Sequence, residues 1–169
     1  MSLYSVDKLI GEARRLAVDY RRATGKSLPG ISAEIALYDA ISLLGLTPVE
    51  GQTVGGYDAL GTGEREGQRI QIKGRVIHDD LKSGQRIGQI KIDQQWDVLL
   101  LVLLDAEYQP LEIYEADRDT LVQAVDEHAS ARNKRGIMSL ARFKAVARLV
   151  WSSDAGPCDD GLWDNRAGT

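Results

Sequence analysis

Cysteine is nearly absent from this 169-residue chain, where Cys158 stands alone. A lone cysteine excludes an internal disulfide framework and a Cys-rich zinc site, and it fits a reducing, cytoplasmic setting. Histidine is almost as scarce. His78 and His128 lie 50 residues apart with no second ligand pattern beside either, so a histidine-built zinc site is not expected. Long apolar runs are missing too. The longest, Val98–Leu104, spans seven residues, far short of the ~20 that a membrane-spanning helix needs. Met1–Ile10 contain no apolar h-region, so no secretory leader is expected there. Gly61-Thr62-Gly63 opens no P-loop, because no Gly-Lys-Ser/Thr follows it. No internal repeat is present. What remains is an ordinary globular composition, 43% hydrophobic and 27% charged, in a chain long enough to bury a core unaided.

Charge of one sign is missing from one stretch. The net charge is −4, which argues against a general nucleic-acid coat. Residues 1–129 carry −7 and residues 152–169 carry −3. Residues 130–151 hold six cations (Arg132, Lys134, Arg135, Arg142, Lys144, Arg148) and no acid. Such a block within an acidic chain is either a phosphate-binding arm or a solvated helix face.

Hydrophobic periodicity places the elements. Leu9, Ile10, Ala13, Leu16, Ala17 and Tyr20 recur at the helical period and predict an amphipathic helix over Leu3–Thr24. A second helix is expected from Ile31 to Leu44, with Ser32 as its N-cap and Gly45 as its stop. Sheet follows: a first strand within Thr47–Thr53, another at Tyr57–Leu60, and an alternating strand over Arg69–Val76. In that last strand Ile70, Ile72 and Gly74 share one side, and Arg69, Gln71, Lys73 and Arg75 share the other. His78–Gly88 reads as a loop, with Ile90 and Ile92 in a short strand or turn. The apolar Trp96–Leu104 reads as a strand covered on both faces, and Leu111–Glu115 as its hairpin partner. Helices are expected at Asp117–Ala129 and Ala141–Leu149. The resulting class is α/β, a mixed sheet flanked by helices. Residues 1–151 form one domain: an N-terminal helix at 3–24, a core at 31–115 and a basic helical arm at 117–151. Residues 152–169 form an acidic tail, flexible or docking.

Four residues stand out together. Glu34 lies on the helix before the strands, and Asp58 follows Gly55-Gly56-Tyr57 at a strand start. Gln71 and Lys73 project from one strand face. If the two strands pair antiparallel, a carboxylate, an amide oxygen and an ammonium converge at one sheet edge. That set suits phosphodiester hydrolysis with Mg²⁺ or Mn²⁺, hard cations that take oxygen ligands and retain waters. Asp58 would ligate directly, Gln71 through its side-chain oxygen, Ile72 through its carbonyl, and Glu34 through water. The metal would acidify a bound water and stabilise developing charge. Lys73 would orient or deprotonate the attacking water. A solvated strand face would carry the same residues.

The segments Ile31-Ser32-Ala33-Glu34, Gly56-Tyr57-Asp58-Ala59 and Gln71-Ile72-Lys73 resemble the pattern of the PD-(D/E)xK, or restriction-endonuclease-like, nuclease superfamily over Ile31–Glu115. Tyr57 stands where the pattern has proline, and Gln71 where it has Asp or Glu, which removes one negative charge. The resemblance implies a restriction-endonuclease-like core and a metal-dependent endonuclease, or nuclease subunit, acting on DNA. It further implies restriction or defence as the setting, and a homodimer or larger nuclease complex as the assembly. Within that reading Arg75, Arg132, Lys134, Arg135, Arg142 and Lys144 contact phosphates, which positions the duplex without reading its sequence. The alternative is a catalytically inactive nuclease-fold module that binds nucleic acid or a protein partner.

Overall fold

A computed structural model of the chain describes residues 3–50, 56–78, 85–126 and 137–158. Two helices open the fold, α1 (Leu3–Thr24) and α2 (Ile31–Leu44). Both match the helical period of the sequence, but α2 is capped differently from the expectation. Gly30, at φ 81°, is its N-cap, and Ser32 lies within the first turn. Gly45 ends α2 in the left-handed conformation, as glycine does at helix C-termini.

The strands are β1 (Thr47–Pro48), β2 (Ala59–Leu60), β3 (Arg69–Val76), β4 (Arg86–Gln89), β5 (Val98–Leu104) and β6 (Pro110–Asp117). They are followed by α3 (Arg118–Asp126), β7 (Ile137–Ser139), α4 (Leu140–Val146), β8 (Arg148–Ser152) and β9 (Gly156–Pro157). Seven strands form one mixed sheet in the order β1-β2-β3-β5-β6-β8-β9, and β4 pairs with β7 in a separate ribbon. The chain is thus a mixed α/β protein. β5, central and parallel to β3, is buried at all seven positions, because apolar cores cover it on both faces.

One core packs Ala36 and Ala40 of α2, with Ala17 of α1, against Ile70, Val98, Leu100 and Val102. The other packs Trp96, Leu121 and Phe143 against Leu99, Leu101 and Leu103. α1 meets the first core mainly through Ala17, and its Arg14 is paired with the buried Asp39 of α2. Leu9 and Leu16, part of the apolar stripe legible in α1, face outward instead.

Four expectations change. The first strand, expected within Thr47–Thr53, covers Thr47–Pro48, and residues 51–55 lie outside the described residues. The expected loop His78–Gly88 contains the start of β4, which finds its partner β7 fifty residues away. Ile90 and Ile92 lie beyond that strand, Ile92 in a turn as the sequence allowed, and Ile90 is buried. The helix expected over Ala141–Leu149 ends at Val146. Ala147 turns extended, and Arg148–Ser152 joins the sheet beside β6. Ser139 begins α4 by accepting the Arg142 amide at 3.2 Å. The sheet continues to Pro157, past the expected domain end at Trp151. The helix expected at Asp117–Ala129 is α3, with 127–129 outside the described residues.

Candidate active site

The site is built on the open edge of β3. Ala59 pairs with Ile70, and the Asp58 amide donates to the Ile70 carbonyl at 2.7 Å. Beyond that point no strand covers β3 on this side among the described residues. The Asp58 side chain takes the first vacant position, its Oδ2 accepting the Ile72 amide at 2.8 Å. The N–H and C=O of one strand residue leave from the same edge. The Ile72 carbonyl therefore projects to the side that Asp58 occupies.

Gln71, Lys73 and Arg75 register with Leu99, Leu101 and Leu103, so they share the face opposite α2, as the alternation predicted. Gln71 is 9% exposed. Its Nε2 donates to the Gly56 carbonyl at 3.0 Å, which fixes the amide's orientation. Oε1 is then a buried acceptor with no donor, and a group of that kind calls for a missing partner such as a water or an ion.

Gly56, at φ 75°, lies against the Lys91–Gln94 turn, where a Cβ would collide with the Gln94 side chain. That turn is strapped down. The Trp96 indole donates to the Lys91 carbonyl at 2.8 Å, and the Gln94 amide to the same oxygen at 3.2 Å. The Arg118 guanidinium lies over the Trp96 ring and donates to the Ile92 and Gln94 carbonyls. Lys91, exposed on this wall, was not singled out in the sequence. It belongs to no motif, and the contact of Gly56 with Gln94 brings its turn to the site.

Charges at the site influence one another. Burial pushes the Asp58 carboxyl above the usual carboxylate range; the Ile72 amide and Lys73 pull it down, and Glu34 adds to the rise. Glu34 is exposed on α2, within electrostatic reach of Asp58. Lys73 is held below the ordinary lysine range, first by burial and then by Arg75 and Lys91, against the pull of Asp58. Asp58, Gln71, Ile72 and Lys73 thus meet at the β3 edge, while Glu34, on the helix that covers the opposite face, is linked to them through its charge on Asp58. Asp58, Gln71, Ile72 and Glu34 offer a cation hard oxygens, the type that Mg²⁺ or Mn²⁺ takes, and the orphaned Gln71 Oε1 fits such a group. No three His, Cys, Asp or Glu side chains form a metal cage among the described residues.

The expected phosphate contacts are dispersed. Arg75 donates to the Arg86 carbonyl at 2.9 Å and the Gly74 carbonyl at 2.8 Å, which ties β3 to β4. Lys144 sits 3.4 Å from Glu112 and over the Tyr114 ring. Arg142 lies in the first turn of α4. Arg148 is on β8, 2.7 Å from Glu115, a carboxylate that also holds Arg65. Acids of β6 therefore answer two cations of a block that lacks acids of its own. Arg132, Lys134 and Arg135 lie outside the described residues.

No protein-family model and no curated protein matches the chain.

Proposed function

We propose that this chain is a metal-dependent endonuclease, or the nuclease subunit of a larger complex, that hydrolyses DNA phosphodiester bonds in the cytoplasm. The observation that carries the reading is Gln71 Oε1, a buried acceptor without a donor beside a strand edge that presents the Asp58 carboxylate and the Ile72 carbonyl. Asp58, Gln71 and the Ile72 carbonyl would hold Mg²⁺ or Mn²⁺, with Glu34 reaching it through water. Such a cation would supply Lewis acidity and lower the pKa of a bound water. Lys73, held below the ordinary lysine range by burial and its cationic neighbours, orients that water and balances charge on the phosphate. The Lys91–Gln94 turn, strapped by Arg118 and Trp96, forms a wall of the site.

The binding-only reading has one observation in its favour: Gln71 is neutral where a third acid would strengthen metal binding. Plasmid cleavage separates the two. Cleavage in Mg²⁺ or Mn²⁺ is expected, with EDTA, Asp58→Ala and Lys73→Ala each abolishing it. Undiminished cleavage in EDTA or in Asp58→Ala would overturn the mechanism. DNA binding without cleavage in either metal would favour the binding module.

A further inference from the structure

The two most exposed large hydrophobic residues among the described residues lie on one helix. Leu9 is 50% and Leu16 is 56% exposed. They are seven residues apart in α1, hence on one face, since seven residues make about two turns. Scattered apolar residues on a surface need no explanation, but two aligned on one helix face form a stripe. The core claims a different side of α1, through Ala17 and the Arg14–Asp39 pair.

Charges flank that stripe in a telling order. Lys8, Glu12, Arg15 and Asp19 are all exposed and follow one another down a single flank. None of the four forms an ion pair or a side-chain hydrogen bond among the described residues. Lys8 and Asp19 share a midpoint between residues 13 and 14, and so do Glu12 and Arg15. The flank is therefore its own complement when reversed. In an antiparallel pair Lys8 meets the partner's Asp19, and Glu12 meets the partner's Arg15, each twice by symmetry. In a parallel pair this flank would face the opposite flank of the partner helix, and the four charges would not meet one another. About the same midpoint Leu9 and the partner's Leu16 fall two residues out of level, about 3 Å, so the four leucines interleave. Ala13 lies at the centre, where a small side chain lets two helix axes approach.

We propose that α1 is an isologous docking surface for a second copy of this chain, antiparallel about a two-fold axis between residues 13 and 14. Self-complementarity under reversal is what such an interface requires. The proposal is independent of the chemistry assigned to the β3 edge. One helix face is small beside a standard interface of about 800 Å² per partner, so the dimer is weak and forms with rising concentration.

Sedimentation velocity of the full chain over a hundredfold concentration range tests this. Wild type should pass from monomer to dimer. Leu16→Glu, at an exposed position that circular dichroism should show folded, should stay monomeric throughout. Lys8→Glu should weaken the dimer severalfold, and Lys8→Glu with Asp19→Lys should restore it, because the reversed pair is again complementary. A chain monomeric at every concentration overturns the proposal. So does a dimer that survives Leu16→Glu, or a double variant no better than Lys8→Glu alone.

Discussion

Gly74 of β3 lies directly beneath Ala36 of α2: a Cβ on Gly74 would stand 2.5 Å from the Ala36 Cβ and 2.8 Å from the Ser32 carbonyl oxygen. Both distances are shorter than real Cβ contacts allow, and one obstacle is backbone. Glycine is thus what lets α2 settle on the strand. Gly74→Ala should cost about 1–3 kcal/mol, the range for overpacking a core, as read by urea denaturation. Glu34 rides on the same helix, so the variant should also lose cleavage activity while still folded. Wild-type stability in Gly74→Ala would show that α2 seats elsewhere.

Gln71→Glu sets two effects against each other. Gln71 Nε2 donates to the Gly56 carbonyl at 3.0 Å. A glutamate carboxylate cannot donate there and would face a carbonyl oxygen instead. The variant should lose about 1–3 kcal/mol without metal, as for a buried group deprived of its partner. It should bind Mn²⁺ more tightly than wild type, because the added charge is a cation ligand. Melting curves should therefore cross: Gln71→Glu melts below wild type in EDTA and gains more from Mn²⁺, since a ligand stabilises the state that binds it. Equal Mn²⁺ shifts in the two proteins would remove Gln71 from the metal site.

The elements that sequence patterning made legible are those whose pattern is local. β3 alternates and runs where expected, and β5 is apolar throughout and ends where expected, though it starts at Val98 rather than Trp96. The pairing of Asp58 with β3 followed from antiparallel strands and a two-residue spacing. β4 was not legible, because a short strand is stable only through its partner β7, which is remote in sequence. The boundary between α4 and β8 was hidden for a related reason. Arg148 and Leu149 continue the helical run of the sequence, yet Glu115 across the sheet and the burial of Val150 draw them into a strand. The wall at Lys91 depends on Gly56 meeting Gln94, a contact that no local pattern announces.

The start of α3 carries a pH signature. Asp117 Oδ1 accepts the Thr120 amide at 2.8 Å, and its Oδ2 accepts the Thr120 hydroxyl at 2.8 Å. The amide bond leads in holding the carboxyl below the usual range. A carboxyl whose folded pKa is depressed adds stability above its unfolded value, near 4. That stability is lost as pH falls through the folded value. Asp117→Ala should cost about 1 kcal/mol at neutral pH, as a lost N-cap does, and less in acid. Asp117→Asn should keep most of the cap and flatten the dependence. Denaturant midpoints measured from neutral pH into acid check this, and an Asp117→Ala deficit that stays constant with pH would contradict it.

Lys91 and Lys144 offer a contrast in how a cation can serve DNA binding. The Lys144 ammonium lies 3.4 Å from Glu112 and over the Tyr114 ring, so protein groups already answer its charge. Lys91 forms no ion pair among the described residues, and its charge is felt at Lys73. A cation without an ion pair, placed where a second cation feels its charge, favours an anion. A phosphate of the bound strand, next to the one being cleaved, has that charge. Lys91→Ala should therefore weaken duplex binding more than Lys144→Ala. It should flatten the logarithmic salt slope by about 0.9, the loss of one phosphate contact. Cleavage at saturating DNA should stay near wild type in Lys91→Ala, so KM rises while kcat holds, whereas Lys73→Ala removes kcat. Fluorescence titrations at several salt concentrations, paired with single-turnover cleavage, read both quantities. A salt slope unchanged in Lys91→Ala would mean that the turn shapes the site without touching DNA.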